Sequence, residues 1–109
     1  MINLINMTHM QKMIAIANIY MYVFEEAFKD FGREIKKHYI DNSLVISDLN
    51  ISRIQAHLNL YLMNNKLDKY LYTKRRGAYY SLELSVRPEI MRNEEINKLI
   101  LIYKMKDLI

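Results

Sequence analysis

Residues 51–80 read ISRIQAHLNLYLMNNKLDKYLYTKRRGAYY, and the two halves of this stretch have different periods. Ser52-Arg53-Ile54-Gln55 has the form of a capping box, in which a serine hydroxyl accepts the N3 amide proton and the glutamine reaches back to the cap. Ile51, Ile54, Leu58, Tyr61 and Leu62 follow at helical spacing and make one apolar stripe. The opposite face holds Ser52, Arg53, Gln55, Ala56 and Asn59, short or hydrogen-bonding side chains with no acid among them. A helix over 52–66 is predicted. After Asn64-Asn65-Lys66 the period changes to two. Residues 68–74 and 78–86 read as strands of one hairpin, 68–86, joined by Lys74-Arg75-Arg76-Gly77, with glycine where positive φ costs least.

Upstream, 8–31 reads as a long helix. Met10, Met13, Ile14, Ala17, Met21, Phe24 and Phe28 recur at three- and four-residue steps, and Ile16, Ile19, Tyr20, Val23 and Ala27 form a second stripe beside them. Thr8 suits the N-cap and Gly32 the stop. So broad an apolar surface exceeds what one small core covers, and part of it is expected to pack against a second copy of the chain. A shorter helix is expected from Gly32-Arg33 to Tyr39 or Ile40, with Ile35 and Tyr39 inward. Asp41-Asn42-Ser43 is turn chemistry. Leu44-Val45-Ile46 reads as a short strand, and Ser47-Asp48-Leu49-Asn50 as a remnant of helix anchored by Leu49. Downstream, Pro88 suits a first helical turn and Asn93-Glu94-Glu95 a cap. Ile96, Leu99, Ile100 and Tyr103 then give a last amphipathic helix within 88–107.

The 109 residues suffice for one domain with a core, and the composition is that of a globular α+β chain, mostly helical. Absence of cysteine removes disulfides, thiol nucleophiles and thiolate metal sites together. His9, His38 and His57 show no ligand spacing, so no metal and no cofactor is expected. Nothing resembles a phosphate loop or a nucleophile–base constellation, and the expectation is that the chain is not an enzyme. The apolar run 13–24 contains Asn18 and falls short of the ~20 residues a membrane span needs. The first residues lack a basic leader region, so a cytoplasmic, intracellular location is expected. Net charge is +4, and its placement is uneven. Residues 51–87 hold seven basic side chains (Arg53, Lys66, Lys69, Lys74, Arg75, Arg76 and Arg87) against Asp68 and Glu83. That concentration suits a polyanion partner; the alternative is an ordinary solvated hairpin with a lysine-guarded edge.

A helix with a polar, acid-free face followed by a hairpin with basic residues resembles the second half of the winged helix-turn-helix DNA-binding proteins of ArsR and MarR type. The resemblance covers 44–86 and rests on the small-residue entry, Ser52-Arg53 in the helix, Asn65-Lys66 at its exit, and Lys74-Arg75-Arg76-Gly77 at the wing. It implies a dimeric winged-helix domain with long N-terminal and C-terminal helices, binding double-stranded DNA as a sequence-specific transcriptional regulator. Centromere-binding adaptors are another small branch of that fold, and a winged helix used only for protein contact is a further alternative. The short segment ahead of Ile51 departs from the pattern, since a full helix normally precedes the turn.

On that resemblance Arg53 would read guanine, Gln55 or Asn59 adenine, and Ser52 would bond phosphate. Ala56 would allow close approach, and His57 would sit at the groove edge. Lys66 and Lys69 would touch the backbone. Lys74, Arg75 and Arg76 would reach the neighbouring minor groove. Family dimers use their first and last helices, which here would place Met13, Ala17, Met21, Phe24, Phe28, Ile96, Leu99, Ile100 and Tyr103 in the interface. Tyr70, Tyr72, Tyr79 and Tyr80 would stack on single-stranded bases if the partner were not a duplex.

Overall fold

The computed structural model describes residues 7–77 and 80–109. Its elements run α1 (His9–Phe28), β1 (Lys36–Ile40), β2 (Ser43–Ser47), α2 (Ile51–Asn64), β3 (Leu71–Arg76), β4 (Ser81–Val86), a 3₁₀ turn (Pro88–Ile90) and α3 (Glu95–Met105). The four strands form one antiparallel sheet in the order β1-β2-β4-β3. The α+β class is as expected, with three α-helices among the described residues. None of those helices is long and apolar enough to cross a membrane.

α1 starts on a capping box at Thr8, whose hydroxyl accepts from the Gln11 amide at 3.1 Å while the Gln11 side chain accepts from the Thr8 amide at 2.8 Å. The box expected at Ser52 does not form. α2 begins one residue earlier, behind Asn50, without a side-chain cap, and leaves the Ser52 hydroxyl available to another element.

The segment expected to be a helix over 33–40 is instead the first strand of a hairpin. Asp41 (φ 50°) and Asn42 (φ 66°) supply the two positive-φ residues of a tight two-residue turn whose twist matches the flanking strands. Ile35 is buried as expected, whereas Tyr39 stays largely exposed. Ser47–Asn50 is not helical either: strand β2 ends there and Leu49, expected inward, is 82% exposed. A strand and a short turn therefore precede α2, not a positioning helix. The Arg33 guanidinium closes this region, donating twice to the Asp48 carboxylate at 2.7 Å. That pairing holds the Asp48 carboxyl below its ordinary value.

The downstream hairpin forms, shifted towards the C-terminus of the expected range. Its turn is centred beyond Arg76, with Gly77 at φ 41° and Tyr80 at φ 55°. The expected start of the second strand at residue 78 and the proposed stacking ring Tyr79 lie outside the described residues. The last helical region is in two pieces. Pro88 opens the 3₁₀ turn, and the Asn93 side chain accepts from the Glu95 amide at 2.8 Å at the start of α3.

All three helices pack on one side of the sheet. Ile16, Ile19, Val23, Ile54, Leu58, Leu62, Leu99 and Ile100 join Leu44, Ile46, Leu82 and Leu84 in a single core. Because strand side chains alternate between faces, the residues between those inward positions form the other face of the sheet.

Candidate nucleic-acid interface

Strand registry fixes what that other face carries. Lys36 pairs with Ser47, Ser47 with Ser81, and Ser81 with Arg76, which makes one row across the four strands. The next row is His38, Val45, Glu83 and Lys74. In the third, Ser43 follows Ile40 and Tyr72 follows Ser85, while the Ser43 and Ser85 hydroxyls bridge the middle strands at 2.5 Å. Val45 is 3% exposed on this face, outside the cluster that the helices cover. No helix among the described residues packs on this face. It presents Lys36, Lys74 and Arg76 around a serine-lined centre, with Glu83 its acid, 4.0 Å from the Arg76 guanidinium.

The alternation separates Arg75 from Arg76, which the sequence placed together at a tip. Arg76 faces the open side. Arg75 turns to the helical side and donates to the Ser52 hydroxyl at 3.1 Å, fastening β3 to the first turn of α2. Lys74 is exposed on the open face.

α2 itself lies against β3 through the polar face that was to read bases. The Gln55 amide donates to the Thr73 hydroxyl at 3.2 Å, and that hydroxyl donates to the Asn59 side chain at 2.6 Å. Gln55 and Asn59 are thus half-buried and engaged with the sheet. His57 donates from Nε2 to the Ala27 carbonyl at 2.6 Å and packs between the rings of Phe28 and Phe31. The Arg53 guanidinium sits 5.1 Å from the centre of the Phe31 ring. Arg53 and Ala56 remain exposed, as does Ser52. Lys66 and Lys69 lie past the far end of α2, with the Lys69 ammonium 5.0 Å from the centre of the Tyr70 ring. The structure therefore does not bring Ser52, Arg53, Lys66 and Lys69 onto one surface with Lys74 and Arg76.

The candidate dimer residues divide in a similar way. Phe24, Phe28, Ile96, Leu99, Ile100 and Tyr103 are buried in the chain's own core, and a partner would find little of their surface. Met13, Ala17 and Met21 are half-buried, and they line up with the exposed Met10 and Ile14 along the outer side of α1. Their spacing of three and four residues makes one apolar stripe with the small Ala17 at its middle.

Lys36, His38 and Glu83 are open-face residues that the sequence pattern did not single out. The first two fell within an expected helix. The available signal was Asp41-Asn42 between two short alternating runs, a pattern of two-residue hairpins. Compared with known proteins, the chain matches no family model, and no curated protein or solved structure shows significant similarity to it.

Proposed function

We propose that the protein is a sequence-specific double-stranded DNA-binding protein, acting as a homodimer in transcription regulation, and that it reads DNA with the open face of its sheet. The observation that carries the reading is the placement of Lys36 and Arg76 at the two ends of one row across four strands, with serines between them. Three strand spacings separate the two cations, about 14 Å at ~4.8 Å each. The B-DNA major groove is about 12 Å wide and admits a two-stranded ribbon. With the central strands β2 and β4 over the groove, Lys36 and Arg76 reach phosphates on opposite banks. Lys74 lies along the same bank as Arg76, and Ser47 and Glu83 on the central strands then face base edges. The uneven charge of 51–87 supports the same choice of partner. The apolar stripe of α1 supports the homodimer, which would set two such sheets side by side and double the site.

A salt titration on duplexes tests this. The Lys74→Ala/Arg76→Ala double variant should bind every duplex more weakly, with the salt slope reduced by about 1 for each phosphate no longer neutralised. Wild-type protein that binds no duplex at ~50 mM salt, where nonspecific electrostatics are strong, would overturn the reading in favour of a protein partner. Unchanged binding by the double variant would move the interface off the sheet. Selection from random duplexes then assigns the site.

A further inference from the structure

On the helical side of the domain, a cavity of about 280 Å³ opens between α1, α2, α3 and the segment that links α2 to β3. Tyrosines dominate its wall. The rings of Tyr22 and Tyr103 meet edge to face with centroids 5.5 Å apart, and Tyr61 and Tyr70 complete the aromatic lining. Tyr103 is 3% exposed and Tyr61 is half-buried, and neither hydroxyl has a hydrogen-bond partner among the described residues. Both hydroxyls lie at the wall of one cavity, where they are available to donate to a ligand acceptor.

The rim is cationic. Lys66, Lys69 and Lys106 surround it, and none of them has an acid within ion-pair distance among the described residues. Glu26 is the carboxylate on the wall, and it is already engaged by the Tyr22 hydroxyl at 3.4 Å and the Lys29 ammonium at 3.7 Å. Lys66 stands at φ 57°, immediately past α2, where the Leu67 amide closes back on the Leu62 carbonyl at 2.8 Å. Glycine is the residue free of strain at such a position. Lysine there puts an ammonium at the mouth of the cavity instead. Leu67 and Ile102 supply apolar wall beneath the charges.

We propose that this cavity binds a small organic anion, with a ring-sized apolar body among the tyrosines and a phosphate or carboxylate head under the lysines. The hydroxyls of Tyr61 and Tyr103 donate to the ligand, and the ammonium groups neutralise its head. The site is independent of the DNA reading, since it lies on the opposite side of the sheet from Lys36, Lys74 and Arg76.

The test is a heteronuclear NMR titration of the full chain with phenyl phosphate and benzoate, set against inorganic phosphate and benzyl alcohol. Phenyl phosphate or benzoate should give saturable shifts at the amides of residues 66, 67, 69 and 106, and should bind more tightly than either control. Tyr103→Phe, which removes a hydroxyl without a partner and leaves the ring packed, should weaken binding about fivefold, as expected when a hydrogen bond to a charged group is removed. Replacing Lys66, Lys69 and Lys106 together by glutamine should weaken it about tenfold or more. The proposal fails if neither organic anion shifts these amides, or if both variants bind like the wild type. It fails equally if inorganic phosphate or benzyl alcohol binds as tightly as phenyl phosphate.

Discussion

The backbone amide of Val86 donates to the hydroxyl of Tyr20 across 2.8 Å, joining the middle of α1 to the end of the central strand β4. Tyr20 is 1% exposed, so water does not compete for the bond. Tyr20→Phe keeps the ring and removes the acceptor. It should cost about 1–3 kcal/mol, the penalty of stranding a buried donor. A urea melt with an unmoved midpoint would show that the amide finds another acceptor.

Burial raises the Tyr20 hydroxyl above its ordinary value of 10.0, with the Val86 bond opposing the shift, and burial raises Tyr103 likewise. Above that ordinary value the unfolded chain releases protons that the native state keeps. The native state then binds more protons, so stability is full below pH 10 and falls as pH rises beyond it. Denaturation midpoints measured through the alkaline range should decline, and Tyr20→Phe should decline less steeply.

For Asp48 the sign is opposite. Its carboxyl is held below 3.8, first by the Arg33 hydrogen bonds, against some desolvation. Its contribution is present above the ordinary carboxylate value and is lost as pH falls through its own lower one. Asp48→Asn retains an acceptor for the Asn50 amide, now 2.9 Å away, and removes the charge. Wild type and variant should differ in melting temperature at neutral pH and converge in acid. A constant difference across pH would assign the effect to packing.

Two glutamate substitutions in α1 should behave differently. Phe24 is 5% exposed within the core, and Phe24→Glu should destabilise the fold by about 4 kcal/mol or more. Ile14 is 57% exposed on the outer stripe, and Ile14→Glu should leave the melt nearly unchanged while shifting sedimentation from dimer to monomer. A wild-type monomer at concentrations of tens of micromolar, on the order of a weak interface, would remove the dimer.

Lys66 offers a trade between stability and binding. Its left-handed backbone costs a side-chain-bearing residue roughly 1–2 kcal/mol. Lys66→Gly should raise the unfolding free energy by about 1 kcal/mol, while loosening any anion held at the tyrosine cavity. A lower melting temperature would mean that the lysine stem packs on the cavity wall more tightly than its exposure suggests.

The sequence made the long elements visible because their periods run over many residues. Thirteen to twenty-eight in α1 and fifty-one to sixty-two in α2 repeat their apolar steps often enough to exclude strands. Lys36–Ile40 is too short for that. Ile35 and Tyr39, four apart, imitate a helical pair, while the alternation of Lys36, His38 and Ile40 is equally consistent with a strand. Only the turn residues Asp41 and Asn42 decide between them. The basic character of 51–87 was legible, but its direction was not. Adjacent Arg75 and Arg76 go to opposite faces once they enter β3, and that depends on where the turn falls. Likewise Phe24 and Ile96 look like spare apolar surface until the folded core is seen to enclose them.

The strand order has a kinetic consequence. Exchanging the two hairpins leaves β1-β2-β4-β3 unchanged in form, since each hairpin puts its second strand at the centre and continues towards a helix. Both hairpins close over a few residues and are quick to form, on the order of microseconds. The seam between β2 and β4 instead pairs Leu44 with Leu84 across the whole intervening unit. Its loop-closure entropy falls due in a single step and is repaid only when the core assembles around the seam. In pulsed hydrogen exchange the amides shared by β3 and β4 should therefore gain protection before those shared by β2 and β4, so that the two halves of the sheet meet last along their common middle.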